Sequence, residues 1–128
     1  MKIEYGISTK DKNEVSYIEF VDTILDDLGF RKNMSGTRLL RDFSIFVYME
    51  NPLEIDLKEE LKIFNNKRNT NIMYSNFHKK ISNAIQYADL DKMKTNFYKV
   101  FRNEYDYYYL NVKTIITFIV NAMERNAF

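Results

Sequence analysis

Residues 71–88, NIMYSNFHKKISNAIQYA, have the amino-acid pattern of an amphipathic helix. Apolar residues recur at steps of three and four, which places them on one side of a helix: Phe77, Ile81, Ala84, Ile85 and Ala88. The remaining positions are mostly polar and include a Lys-Lys pair and the single histidine of the chain. One side of this predicted helix is therefore suited to burial, and the other is available to touch a partner.

The composition of the chain favours a soluble helical protein. Its 128 residues have the length of one ordinary domain, and three Gly and one Pro provide few turns for a fold of many short strands. The absence of cysteine excludes disulfides and zinc–thiolate sites. No apolar run approaches the roughly 18–20 residues that span a bilayer, and the start, MKIEYGISTKDKNE, lacks the apolar centre of a signal peptide. We therefore expect a cytoplasmic protein with no membrane partner.

Apolar residues with helical spacing recur in five other segments, so the sequence predicts an all-α, compact six-helix domain. We expect an N-terminal arm at residues 1–14, in which KIEYGI could also form a short edge strand, and a single helical domain at residues 15–128. Asp89 or Asp91 can cap the fifth helix, and Asn111 can cap the sixth. The helices are expected at residues 15–28, 37–49, 53–65, 71–88, 90–101 and from 112 onward.

Several short motifs follow one another in a recognisable order. They are ILDDLGF at residues 24–30, SGTRLLRDF at residues 35–43, the pair Val47 and Tyr48, NTNIMYSNFHKKISNAIQYA at residues 69–88, and a terminal helix that begins at an asparagine. Through these motifs, roughly residues 17–123 resemble the C-terminal DNA-binding effector domain of the sporulation initiation transcription factor of endospore-forming bacteria. The resemblance implies a six-helix domain that contains a helix-turn-helix, with residues 71–88 as the recognition helix.

The recognition helix of that family runs Ser-Arg-Val-Glu-Arg-Ala-Ile-Arg-His-Ala-Ile, which corresponds to residues 75–85 of this chain. The apolar positions of the buried side are kept, at Phe77, Ile81, Ala84 and Ile85. In contrast, Asn76, Lys79 and Ser82 stand where family arginines would be, and His78 replaces a glutamate. Arginine can bind both acceptors of guanine, whereas asparagine suits the paired donor and acceptor of adenine. The operator of the family is therefore not assumed for this chain.

If this helix enters the major groove, its polar side divides into base contacts and phosphate contacts. We expect Asn76, His78 and Lys79 to face the bases. Residues 58–82 hold six Lys or Arg against two Glu, although the formal net charge of the whole chain is only +1. The remaining candidates for DNA binding are expected to contact phosphates: Ser75, Lys80, Ser82, Lys67 and Arg68.

The family protein also has an N-terminal receiver domain, whose aspartyl phosphorylation releases the effector domain to dimerise and bind DNA. Only about sixteen residues precede the first matching helix here, so the chain has no counterpart of that domain. We therefore expect a stand-alone effector module, or a piece of a longer chain, that is constitutive or controlled by a partner.

Two functions fit the sequence. The first is a sequence-specific transcriptional regulator that binds double-stranded DNA, as a dimer because one short helix reads only a few base pairs. The second is a helical protein-interaction module that has lost DNA readout and modulates a partner regulator, since a polar helix face with two lysines is often only solvated surface. Exposed apolar residues motivate the second function, as do tyrosines that could stack on bases, form an interface or cover the core: Phe128, Tyr105, Tyr107, Tyr108 and Tyr109.

Enzymatic activity has no support in the sequence, which lacks a phosphate-binding glycine loop, a nucleophile elbow and a zinc-protease motif. Asp26 and Asp27 do not form a catalytic pair, because neighbouring residues on a helix point about 100° apart. His78 alone does not define a metal site. We expect no catalytic residues, no metal and no small-molecule cofactor.

Overall fold

The computed structural model describes residues 4–106 and 110–126, with side chains from residue 14 onward. Six α-helices occupy these residues, and no strand forms among them. The predicted all-α class is therefore confirmed. The helices are α1 (Glu4–Asp27), α2 (Ser35–Glu50), α3 (Leu57–Arg68), α4 (Tyr74–Gln86), α5 (Leu90–Phe101) and α6 (Val112–Asn126).

The first helix is longer than the sequence pattern indicates. In place of the N-terminal arm or edge strand predicted for residues 1–14, residues 4–14 form the first turns of α1. Extending an existing helix is inexpensive compared with nucleating one, and this segment contains no proline to interrupt it. At the other end, Gly29 adopts the left-handed conformation that glycine often takes after the last turn of a helix, with a φ of 84°.

Capping side chains lie at the starts of α3, α5 and α6. Asp56 accepts a hydrogen bond from the backbone N–H of Glu59, so α3 begins at Leu57 rather than at residue 53. Asp89, one of the two predicted caps, accepts from the first backbone N–H groups of α5 at 3.1 and 3.3 Å. The predicted cap at Asn111 is also confirmed, because its side-chain oxygen lies 2.9 Å from the backbone nitrogen of Thr114.

The core is built around α2, which packs against α1, α3, α4 and α6. The ring of Phe43 in α2 lies 5.4 Å from that of Phe64 in α3 and 4.6 Å from that of Phe77 in α4. These three fully buried phenylalanines join the helices on either side of the α3–α4 turn to the central helix.

The start of α2 approaches α4 very closely at Gly36. A Cβ atom at this position would lie 2.0 Å from the backbone oxygen of Lys80 and 3.2 Å from the Cβ of Ala84. Only a residue without a side chain allows the two helices to approach so closely. This contact holds the rear of α4 against α2 and fixes which side of α4 faces outward.

The turn between α3 and α4 is held by one side chain. The side-chain oxygen of Asn65 accepts from the Thr70 hydroxyl at 2.9 Å and from the Ile72 backbone N–H at 3.1 Å, and its amide nitrogen donates to the Ile72 carbonyl at 3.0 Å. Asn69 takes the left-handed conformation with a φ of 56°. Residues 71–73 are thereby kept in the turn, which is why α4 begins at Tyr74 and not at residue 71.

Candidate nucleic-acid interface

The side of α4 predicted to be buried lies in the core. Phe77, Ile81 and Ala84 are fully inaccessible to solvent, and Ile85 and Ala88 are partly buried. Burying a side chain as large as that of Phe77 or Ile81 stabilises the fold by roughly 1.5–3 kcal/mol. The helix is therefore anchored along its length, and its opposite face has a fixed orientation.

With about 100° of rotation per residue, four side chains point most directly away from the core: Ser75, Lys79, Asn83 and Gln86. Asn76 and Ser82 lie beside this line. Of the predicted contact residues, Ser75, Asn76 and Lys79 are exposed, and Ser82 is partly exposed. Asn83, which is partly buried, and Gln86, which is exposed, were not among the predicted DNA contacts. They could have been found by continuing from Lys79 at helical steps of four and seven.

His78 lies on one flank of α4 and not on its outermost line. Its ring is 6.0 Å from the ring of Tyr74, and its Nδ1 is 3.3 Å from the Ser82 hydroxyl. It borders an open cavity shared with Lys58 and Lys113, along with two carboxylates, Glu54 and Asp56. This flank thus carries charges of both signs.

The predicted phosphate contacts Lys67 and Arg68 are directed towards α2. The Nζ of Lys67 lies 2.8 Å from a carboxylate oxygen of Glu50, and a terminal nitrogen of Arg68 lies 3.6 Å from a carboxylate oxygen of Asp42. The guanidinium carbon of Arg68 is also 4.9 Å from the centre of the Phe64 ring. The structure therefore partly neutralises both cations, because the last turn of α3 lies beside the two carboxylates of α2, Asp42 and Glu50.

Lys79 and Lys80 have no such partners. Among residues 14–106 and 110–126, no carboxylate lies within ion-pair distance of either lysine. The helix itself contains no Asp or Glu, and neither do the residues on either side of it from 71 to 88. The outward face of α4 is therefore positive and rich in hydrogen-bonding groups.

The flank of α4 that carries Lys80 is bordered by a second group of cations. The Nε of Arg31 donates to the carbonyl of Tyr87 at 2.8 Å, immediately after the end of α4. A terminal nitrogen of Arg38 donates to the carbonyl of Lys32 at 3.1 Å. Arg31, Lys32 and Arg38 are all exposed. Sequence reasoning did not place them here, because Arg31 and Tyr87 are 56 positions apart in the chain.

No protein-family model, curated protein or solved structure matches the chain. Among the described residues, no three His, Asp or Glu side chains converge in a way that could hold a metal ion. No helix in the described part of the chain is both long enough and apolar enough to cross a membrane.

The tyrosine-rich segment is only partly described. Tyr105 is partly buried, with its ring 5.3 Å from that of Phe97 in α5, so it covers the core. The other residues for which a stacking or interface role was considered lie outside the described residues: Tyr107, Tyr108, Tyr109 and Phe128.

Among the described residues, Glu60 in α3 is the one carboxylate residue that is buried. Its side chain is 6% exposed, and one carboxylate oxygen has no hydrogen-bond partner. Burial raises the pKa of Glu60, and the nearby carboxylates of Glu50, Asp56 and Glu59 raise it further. This group lies on the inner side of α3, away from the outward face of α4, and it bears on stability more than on recognition.

Proposed function

We propose that the protein is a sequence-specific transcriptional regulator that binds double-stranded DNA and reads the major groove with α4. The observation that carries the proposal is the outward face of α4, which combines hydroxyl, amide and lysine side chains without a carboxylate on a helix seated firmly against α2. The resemblance to the effector domain of the sporulation initiation factor is part of this proposal.

The size and chemistry of this face suit the major groove. An α-helix with its side chains is about 10–12 Å across, and the groove is about 12 Å wide. The amide groups of Asn76 and Asn83 can pair with the donor and acceptor of adenine, and Lys79 can reach the two acceptors of guanine. Because the backbone of α4 is held at Gly36 and Phe77, these groups approach the bases without first having to be ordered.

We interpret α3, the turn at residues 69–73 and α4 as the helix-turn-helix that the resemblance implies. The hydrogen bonds of Asn65 fix the turn, and the contacts of Phe43 with Phe64 and Phe77 fix both helices on α2. A single helix of 13 residues reads only a few base pairs. The proposal therefore includes a homodimer that binds two half-sites about 34–36 Å apart.

The function is tested by selecting duplexes from a random library and measuring binding of the enriched sequence and of a scrambled duplex. We expect a clear preference for the enriched duplex and an affinity that falls steeply with salt. Lys79→Ala should reduce the preference by about 1–3 kcal/mol. Lys99→Ala, which removes an exposed lysine from α5, is the control and should leave the preference unchanged.

Two results would count against DNA reading by α4. One is the absence of any enriched duplex at low salt. The other is an equal preference in the wild-type protein and the Lys79→Ala variant.

One observation favours the alternative of a protein-interaction module. An apolar cavity of about 290 Å³ lies between α1, α2 and α3, and Met49 at its edge is 48% exposed. Ile18, Ile45, Phe46 and Phe64 form most of its apolar lining. Exposed apolar surface of this kind is typical of sites for protein partners. Failure to enrich any duplex, together with binding of a partner regulator that is lost in Met49→Lys, would support this alternative.

A further inference from the structure

We propose that the turn before α2 and the first turn of α2 form a second DNA contact, which holds the phosphates of one strand beside α4. Together with Lys80 of α4, the cations of this segment form a group that we call the α2 clamp. Its members are Arg31, Lys32, Arg38 and Lys80. The inference rests on the proposed function, since it assumes that α4 enters the major groove. The inference goes beyond that function by specifying the side of α4 on which the DNA backbone is held.

The position of the clamp follows from the contact at Gly36. This residue lies against the backbone of Lys80, and Lys32 precedes it by four positions while Arg38 follows it by two. The next contact along the same flank is the bond from Arg31 to the carbonyl of Tyr87. The clamp therefore runs along the second half of α4, from Lys80 to the end of the helix. Phosphate rows border the major groove on both sides of an inserted helix, so side chains at this flank are placed to meet one row.

The hydrogen bonds of the two arginines leave most of their donors available. Arg31 uses its Nε for the Tyr87 carbonyl, which leaves both terminal nitrogens of its guanidinium, and Arg38 uses one terminal nitrogen for the Lys32 carbonyl. Neither arginine forms an ion pair among the described residues. The backbone carbonyls thus orient the guanidinium groups without neutralising them, which is suited to bidentate binding of phosphate.

The net charge around the clamp is positive. Residues 31–38 contain three cations and no acid, and Lys80 adds a fourth cation. Two carboxylates, Asp26 and Asp89, share a shallow cavity with Arg31, Lys32 and Lys92. The carboxylate of Asp89 is already engaged by two backbone N–H groups at the start of α5. These carboxylates weaken the positive field near Arg31 and Lys32, whereas Arg38 and Lys80 do not line this cavity.

The opposite flank of α4 differs. There Lys58 and Lys113 are accompanied by Glu54 and Asp56 around the cavity next to His78. Cations and carboxylates balance on that side, so it offers less attraction for phosphates. The clamp therefore makes the contact with DNA asymmetric, with the stronger backbone contact on the Lys80 flank of α4.

The test is the salt dependence of binding to the duplex that is enriched by the wild-type protein. Neutralising one phosphate contact reduces the slope of log K against log salt by about 0.9. We therefore expect the magnitude of this slope to fall by about 0.9 in Arg38→Gln and by about twice that in the double variant Lys32→Gln/Arg38→Gln. The ratio of affinities for enriched and scrambled duplexes should stay constant, because phosphate contacts carry no sequence information. Lys99→Gln removes the same charge from α5 and should leave the slope unchanged.

Ethylation of the DNA phosphates gives an independent readout. Interference should occur on one strand at phosphates next to the bases read by α4, and it should weaken in the double variant. Circular dichroism and thermal melting verify that each variant is folded. If the wild-type protein shows sequence preference but the double variant keeps its full salt slope, the clamp is wrong while the proposed function stands. If the wild-type protein binds no duplex, both fail.

Discussion

Replacing Gly36 with alanine should separate α4 from α2. The new Cβ would lie 2.0 Å from the Lys80 oxygen and 2.7 Å from the Lys80 carbonyl carbon, both of which are backbone atoms that cannot rotate away. Ordinary contacts for a Cβ begin near 3.4 Å, so the helices must move apart by more than 1 Å. That movement loosens the packing of Phe77, Ile81 and Ala84.

The size of the effect is the difference between two opposing contributions. Overpacking of a close helix contact destabilises by typically 1–3 kcal/mol and more where backbone must move, whereas alanine in place of glycine within a helix stabilises by roughly 0.5–1 kcal/mol. Because the clashing atoms are backbone atoms, the overpacking contribution is taken as about 3 kcal/mol, and we expect a net destabilisation of about 2 kcal/mol. For a domain of this length, that corresponds to a fall in Tm of roughly 8 °C.

Urea denaturation and thermal melting followed by circular dichroism measure this change. Ser35→Ala is the control, because it alters the exposed neighbour of Gly36 in the same turn and adds no atom. The Gly36→Ala variant should also bind DNA more weakly, since α4 and the α2 clamp no longer keep their spacing. A Gly36→Ala variant as stable as Ser35→Ala would refute the close approach of α2 and α4.

Two further variants examine the α3–α4 turn and the buried carboxyl group. Asn65→Ala removes three side-chain hydrogen bonds from the turn and should lower the free energy of unfolding, measured by urea denaturation, by about 1–3 kcal/mol. Asn66→Ala, at the exposed neighbouring position, is the control and should change the free energy of unfolding little. Equal effects of the two substitutions would contradict the role given to Asn65. The raised pKa of Glu60 means that the folded state favours its neutral form, so its stabilising contribution is complete below the pKa of the unfolded chain and is lost as pH rises through the pKa of the folded state. The Tm of the wild-type protein should therefore fall, relative to that of Glu60→Gln, as pH is raised from 4 to 8, and a constant difference across this range would argue against a raised pKa.

The apolar periodicity was sufficient to predict the helices and the buried side of α4. Phe77, Ile81 and Ala84 could be assigned to the core because the spacing of side chains around a helix depends only on the local backbone. The caps at Asp89 and Asn111 were predictable for the same reason, since a capping side chain bonds to N–H groups two or three residues away. The start of α4 could not be predicted in this way, because the hydrogen bonds from Asn65 to residues 70 and 72 compete with helix formation at residues 71–73.

The candidate site was predicted less completely than the fold. Lys79 could be placed on the outward face from helix geometry alone, whereas the orientation of Lys67 and Arg68 depended on where Glu50 and Asp42 lie in α2. A count of charges along the sequence could not show that these two cations are paired and that Lys79 and Lys80 are not. His78 was expected to face the bases, but it lies on the flank, because it follows the buried Phe77 directly and is turned only about 100° from the core side of α4.

By itself, the sequence determined an all-helical chain and the polar outward side of the helix at residues 75–86, because both follow from patterns among residues a few positions apart. Only the tertiary structure decided which cations share a surface with α4. Arg31 reaches Tyr87, and Gly36 reaches Lys80, through the packing of α2 on α4. Contacts between residues about 50 positions apart depend on how whole helices pack, and no local pattern encodes them.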